Sequence, residues 1–324
     1  MNILVVRNDK LGDFITALPT MYVLKKHDAN NKLIVLVAPL NRTLAESCSF
    51  IDEVIVDNGE GVWQLSRKIV PYKIDASITL FSNTRVALVQ FLARVPKRIA
   101  PATKIAQIFY TDKVKQRRSQ VKMAEFEYNL ELTKELFPDI NLEYKKPLLA
   151  FEDAKKVYDV FRINNEIEKE VICFHVGFGG SSDANWTLDE YEVLIRAVLK
   201  ENKYQVVMTF GPDEKDLYEE MQRRFYNTNI VFYFSLDGLI YFAKLISNFK
   251  LFVSTSTGTY HLASLVGTPT VTFFGSSLFA SAKRWKSVGE ESKQQHFMIP
   301  VEEEARRELF DEVKSELEGF TFLN

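Results

Sequence analysis

The chain has 324 residues, 46% of them hydrophobic and 26% charged, which is enough for two ordinary cores and too apolar for long disorder. A net charge of -2 excludes a nucleic-acid footprint spread over the whole chain, and two cysteines, Cys48 and Cys173, exclude a disulfide framework and fit a reducing cytoplasm. No window nears the roughly 18 apolar residues that span a bilayer, and Ile3–Val6 is too short for a signal-peptide core, so the expectation is a cytosolic protein able to touch a membrane surface.

Short apolar runs alternate with longer helical patterns. Ile3–Val6 reads as a buried strand, followed by a turn and a helix from about Asp13 to Lys26. Leu33–Val37, Glu53–Val56 and Ala76–Leu80 read as further strands, with helical segments between them. This βαβ rhythm predicts a parallel sheet covered on both faces. Residues 100–150 are irregular: a basic stretch (Lys113, Lys115, Arg117, Arg118, Lys122) leads into one helix predicted over Met123–Leu136, which stops before Pro138. The rhythm restarts with strands at Val171–Phe174, Gln205–Phe210, Ile230–Phe232, Leu251–Val253 and Thr270–Phe274, and an amphipathic helix, Val301–Leu317, closes the chain. The expected class is α/β: two facing Rossmann-like domains over 1–150 and 151–300, with 301–324 as a C-terminal helix free to pack back on the first domain. Ligands of such sheets bind beyond the carboxyl ends of the strands, so the turns after strands are the places to look for function.

Three turns stand out. The first, Arg7-Asn-Asp-Lys-Leu-Gly-Asp13, has Gly12 for a tight turn and puts Asp13 in the first turn of the next helix, where a carboxylate can take the proton of a sugar hydroxyl or merely satisfy free N–H groups. It lacks G-x-G-x-x-G and the acid that would hold a ribose, which disfavours a nicotinamide dehydrogenase. The second, from His175 to Ser182, carries Gly177, Gly179 and Gly180 for close backbone approach, and Ser181 and Ser182 as donors. Such a concavity suits a diphosphate, although it is no P-loop, and an unliganded loop is the plainer alternative. The third, from Ser254 to His261, sets Ser256, Thr257, Gly258 and Thr259 at a helix N-terminus prepared for an anion, with His261 within the helix's first turns. Caps and a core histidine are the plainer reading there.

Together these turns resemble glycosyltransferase family 9, the heptosyltransferase-like enzymes of lipopolysaccharide core assembly. The resemblance rests on Asn2–Pro19 (NILVVRNDKLGDFITALP), on Ile51–Val56 with Tyr72–Leu92, on Tyr128-Asn-Leu-Glu-Leu132, on Gly177–Trp186, and on Ser254–Gly275 around TGTYHLASLVGTPTVTFFG. It implies a GT-B fold and metal-independent, inverting sugar transfer, with the acceptor on the N-terminal domain and the nucleotide-sugar on the C-terminal one. By the motif match, Asp13 is the general base. Ser256, Thr257, Gly258 and His261 hold the donor diphosphate and sugar, and Glu214 stands near the nucleoside ribose. The sequence departs from the family pattern at Ala184, where a Lys or Arg is usual, at Ser256, where an acid is usual, and at Ala124, where relatives often carry His. Lys10 and Lys283 are the cations available to offset the first.

The expected donor is a nucleotide-diphosphate sugar, ADP-heptose by preference, acting as co-substrate with no further cofactor. Four scattered histidines and no D-x-D between strands give no constellation for a metal. The expected acceptor is an anionic lipid A-type glycolipid, met by Lys10, Arg85, Lys97, Arg98, Lys113 and Arg117, and the same cations suit peripheral contact with the cytoplasmic face of the inner membrane. Alternatives are a GT-B nucleotide-sugar epimerase, which needs no acceptor, and a non-catalytic glycan-assembly protein.

Overall fold

All nine apolar runs form strands in the computed structural model of the chain, which describes residues 1–102, 105–178 and 185–321. The chain divides into two units, Met1–Lys145 and Lys146–Asn324. The first contains β1 (Asn2–Arg7), β2 (Lys32–Val37), β3 (Glu53–Val56), β4 (Ala76–Thr79), β5 (Lys97–Pro101) and β6 (Asp112–Val114). These form one parallel sheet in the order β3-β2-β1-β4-β5-β6. The second contains β7 (Val171–His175), β8 (Gln205–Phe210), β9 (Val231–Phe234), β10 (Leu251–Thr255), β11 (Thr270–Gly275) and β12 (Gln294–Ile299), again parallel, in the order β12-β11-β10-β7-β8-β9.

Counted from each unit's first strand, the two orders are the same doubly wound pattern. Helices cover both faces, so the central strands are buried from Ile3, Leu33 and Val171 onward and read as continuous apolar runs. One core gathers Leu4, Val6, Ile34 and Leu36 with Leu65 and Val89 from the covering helices. The other gathers Phe174, Met208, Val253 and Phe273 with Tyr191 and Leu194.

Three strands escaped the sequence reading, each for a physical reason. β5 opens with Lys97 and Arg98, so it reads as a basic loop, although Ile99 and Ala100 are buried. β6 has three residues at a sheet edge. β12, QQHFMI, is an edge strand with only Phe297 and Ile299 buried.

The helix expected over 123–136 is shorter: an α-helix at Glu125–Glu131 tightens into a 3-10 turn at Leu132–Glu135, where the Thr133 hydroxyl donates to the Leu130 carbonyl. Its start is set by a box in which the Glu127 carboxylate accepts from the Ala124 N–H at 2.6 Å. The closing helix runs Glu303–Gly319 and packs on Leu188–Glu201 within its own unit. Arg306 anchors it, pairing with Glu190 at 2.7 Å and lying over the Trp186 ring at 4.7 Å. The terminal residues thus complete the second unit's core, through Val313 and Leu317, instead of forming a separate segment.

Candidate active site

In each sheet the connections run in opposite directions from one pair of neighbouring strands, β1 and β4 in the first and β7 and β10 in the second. The turns leaving that pair diverge and open a crevice at the carboxyl edge, which is where ligands of such folds sit.

At the first switch point β1 ends in Arg7, which is 2% exposed and the largest fully buried side chain in the protein. A guanidinium there needs compensation. It donates to Asp9 at 2.8 Å and to Asp13, stands 3.7 Å from Glu125, and lies 5.7 Å over the ring of Phe81, which follows β4. Glu125 also pairs with Arg118. Its helix is tied to Leu11–His27 by Asn129, whose amide donates to the Thr16 carbonyl at 3.3 Å. Burial pushes the Asp9 carboxyl up to about 6, with Arg7 opposing and the Asp13 charge adding to the rise. Asp13 lies in the first turn of Leu11–His27, where the helix dipole favours an anion, and keeps 20% of its side chain exposed.

The neighbouring strand ends carry a second charged group. Asp57, just after β3, accepts from both terminal nitrogens of Arg85 at 2.6 and 2.8 Å and from Asn8 at 2.6 Å. Burial raises the Asp57 carboxyl, but the Arg85, Gly59 and Asn8 hydrogen bonds outweigh it and hold its pKa below the usual range. Arg85, expected to meet the acceptor, is therefore held as a bidentate partner of Asp57.

Lys10 is exposed on the same turn as Asp13, at the N-cap. Lys113 and Arg117 are exposed on β6 and beyond its carboxyl end. Lys97 and Arg98 must be reassigned. They begin β5, in register with Ala76 and Ser77 at the start of β4, and so lie at the amino edge of a parallel sheet, opposite Asp13. Lys97 donates to the Glu135 carbonyl at 2.8 Å and Arg98 to the Phe109 carbonyl at 2.7 Å, so both fasten loops there.

At the second switch point β7 ends in buried His175, in register with Ser254 of β10. Its Nδ1 donates to the Thr209 carbonyl at 2.9 Å, and its Nε2 is 3.9 Å from the Glu214 carboxylate. Burial lowers the His175 pKa, with Glu214 opposing. Glu214 accepts from the Gly211 N–H at 2.7 Å and occupies the space that a side chain at Gly177 would fill. The sequence predicted Gly177 as a place for a ligand to approach the backbone; what approaches it is the Glu214 carboxylate. The structure thus brings together two residues singled out 37 positions apart (214 − 177). Gly179, Gly180, Ser181, Ser182 and Ala184 lie outside the described residues.

After β10, Thr257 is the N-cap of the helix Gly258–Leu265, yet its hydroxyl pairs with that of Thr259 at 2.8 Å, and among the described residues no side chain caps the helix. The first amides, beside half-buried Ser256, are left to an incoming acceptor of hydrogen bonds. His261 points elsewhere: it is buried against Tyr260 and Trp285, with Nδ1 3.2 Å from the Ser287 hydroxyl. Burial, with His296 adding, pushes it down to about 3, so it is neutral at physiological pH.

Sequence reasoning passed over Arg7, Asp9, Glu125, Asp57 and His175. Arg7 carried a usable signal, since a charge closing a fully buried strand is rare unless it is paired. Of the acids that pair with it, Asp9 and Asp13 stand in the same turn, whereas Glu125 comes from a separate segment and carried no signal. Among the described residues, no group of three or more His, Cys, Asp or Glu is placed to hold a metal, and no helix is long and apolar enough to cross a membrane.

Repetition of one doubly wound sheet in both units is the GT-B fold, and the chain is a glycosyltransferase. It belongs to glycosyltransferase family 9 (heptosyltransferase), whose model matches residues 62–309, beginning after the Arg7–Asp13 turn. A Haemophilus influenzae protein with a glycosyltransferase designation is 34% identical over 318 residues, 95% of this chain and 92% of that one. Among solved structures, Escherichia coli ADP-heptose lipopolysaccharide heptosyltransferase II matches with a TM-score of 0.80 at 17% identity, over 98% of each chain. E. coli heptosyltransferase WaaC with ADP matches at 0.71 and 16% identity, over 97% of this chain and all of that one.

Proposed function

We propose that this family 9 enzyme moves heptose or a related sugar, with inversion and without a metal, from a nucleotide-diphosphate sugar to a lipopolysaccharide-core or lipid A-type acceptor. ADP-heptose is the favoured donor, in keeping with the ADP and ADP-heptose named for structural relatives. The observation that carries the reading is Asp13: a partly exposed carboxylate at a helix N-terminus, held by the most deeply buried arginine of the chain. In the proposed step Asp13 takes the proton of the acceptor hydroxyl while its oxygen bonds to the anomeric carbon. The bond from that carbon to the diphosphate breaks, and the diphosphate leaves with the electron pair. The open amides at Gly258–Tyr260, with Ser256 and Thr257, receive the departing charge. Glu214, seated against Gly177, is the acid that holds the ribose. Lys10, Lys113 and Arg117 are the exposed cations assigned to an anionic acceptor.

The test has two parts. A thermal-shift panel of ADP, GDP, UDP and their sugars should show preference for the ADP forms, rising by about 2.7 kcal/mol when ligand stands at 100 times its Kd. Transfer by the preferred donor should then survive EDTA and vanish in Asp13→Ala while nucleotide binding is kept. Unchanged transfer in that variant removes Asp13 as base.

A further inference from the structure

A cavity of the second unit plays no part in the proposed transfer and lies at the opposite edge of the sheet. Glu170 immediately precedes β7 and Lys250 immediately precedes β10, so both stand at the amino ends of strands whose carboxyl ends lead to His175 and Ser256. With Tyr158, Arg162 and Phe249 they line an open cavity of about 590 Å³. That volume falls within the roughly 300–1,000 Å³ of small-molecule sites. Two buried rings back it, Tyr158 and Phe249, packed edge to face at 6.1 Å.

The cations around it are unequally satisfied. Lys169 is held by the carbonyl and the side-chain oxygen of Asn202 at 2.8 and 2.6 Å, and Lys250 stands 3.3 Å from Glu170. Lys155 pairs with Asp159 at 2.7 Å on an exposed helix face, where water competes for the contact, and its ammonium lies 5.1 Å over the Tyr158 ring. Arg162 differs. Among the described residues it has no carboxylate partner, and its Nε is buried without an acceptor. The Tyr158 hydroxyl likewise makes no hydrogen bond among the described residues. Burial raises the Tyr158 pKa, with the Lys155 and Arg162 charges opposing, so both cations act on one hydroxyl. Among the described residues the lining holds four Lys and Arg, at 155, 162, 169 and 250, against Glu168 and Glu170, a surplus of two (4 − 2).

We infer that this cavity is a second anion-binding site, for a small molecule carrying a phosphoryl group, with the Arg162 guanidinium and the Tyr158 hydroxyl donating to its oxygens and Lys155 and Lys250 completing the charge. A phosphoryl group brings close to two negative charges at neutral pH and three strong acceptor oxygens, which match the surplus and offer Arg162 the acceptor it lacks. A carboxylate brings one charge and two oxygens in a plane, and leaves the surplus half met. Because the site opens at the amino edge of the sheet, its ligand binds in addition to anything held at Glu214 and Gly258. The inference goes beyond sugar transfer and does not rest on it.

Hydrogen–deuterium exchange of the full chain, read by mass spectrometry with and without inorganic pyrophosphate, tests it. Pyrophosphate is expected to slow exchange in peptides covering 157–166 and 248–251. Occupation of the Gly258–Leu265 N-terminus slows a different peptide, so the two events are read apart. Potassium chloride at equal ionic strength should leave 157–166 unchanged. Arg162→Gln is expected to raise the pyrophosphate concentration needed for that protection by about tenfold or more, and Tyr158→Phe by about threefold or more. Lys156→Gln, exposed on the same helix and outside the cavity, should leave it unchanged. Unfolding midpoints monitor folding, and Lys250→Gln replaces Arg162→Gln if its midpoint drops. Adenosine monophosphate and ribose 5-phosphate, titrated side by side, distinguish a nucleotide from a sugar phosphate as the occupant; protection of 157–166 by either, weakened in Arg162→Gln, supports the site. No protection by any of the three at millimolar concentration, equal protection by chloride, or parental protection in Arg162→Gln or Tyr158→Phe overturns the proposal, and none of these outcomes depends on transfer activity.

Discussion

The carboxyl edges of the two sheets are built on one strand order but from opposite materials. At the first, charge is buried: Arg7 closes β1 and collects Asp9, Asp13 and Glu125, while Arg85 and Asp57 clasp each other nearby. At the second, the groups left to a ligand are neutral amides and hydroxyls at the start of Gly258–Leu265, and Glu214 is an acid seated against a glycine. Under the proposed mechanism the difference matches the two halves of the transfer. A carboxylate that takes a proton works best when a fixed partner holds it in place, whereas a leaving diphosphate is received best by oriented dipoles that need no reorganisation.

Breaking the first edge should cost most. Asp13→Asn keeps the size of the side chain and removes the proposed base, so transfer is expected to fall by about 10²–10⁴-fold with nucleotide binding retained, as a coupled assay and calorimetry would report. Asp9 sharpens the comparison by exposing the strain of clustered charge. Its carboxyl is raised to about 6 from an ordinary 3.8, so the folded state binds a proton more tightly than the unfolded chain does. Its ionised form therefore opposes folding above about pH 6, and the penalty fades as pH falls toward 4. Asp9→Asn should be more stable than the parent at pH 7.5 by up to about 3 kcal/mol, the gap closing toward pH 4 in denaturant titrations.

At the second edge, Gly177→Ala should push the Glu214 carboxylate out of its seat and off the Gly211 N–H, with a loss of donor affinity of about tenfold. Because the substitution acts through Glu214, Glu214→Ala added to it should cost little more; additive losses in the double variant would break that reading. The smallest effect is expected at His261. It remains neutral from pH 8 to 5, so any change in donor affinity across that range must come from another group, and His261→Gln should leave the pH profile of binding unchanged. Its signature is in stability, which falls as pH drops below about 6.5 because the unfolded chain takes up a proton that the buried ring refuses.

How much of this was legible depends on whether the signal was local. Asp13, Gly177 and Ser256–Thr259 follow strands directly, so pattern alone located them at carboxyl edges. Lys97 and Arg98 looked like a free basic loop because two cations mask the start of a strand whose buried part is only Ile99–Pro101. His261 sits in a motif dense with donors, yet helix geometry turns it away from Thr257 into the packing around Tyr260 and Trp285.

The sequence by itself determined the two parallel sheets, the turns at their carboxyl edges and the family resemblance, because continuous apolar strands and the glycines and hydroxyls that follow them are periodic, short-range signals. Only the tertiary structure decided that Arg7 gathers Asp9, Asp13 and Glu125, and that Glu214 fills the place beside Gly177. Those pairings join residues that the chain separates by up to 118 positions (125 − 7), and desolvation, ion pairing and steric exclusion act on neighbours in space whatever their distance along the chain.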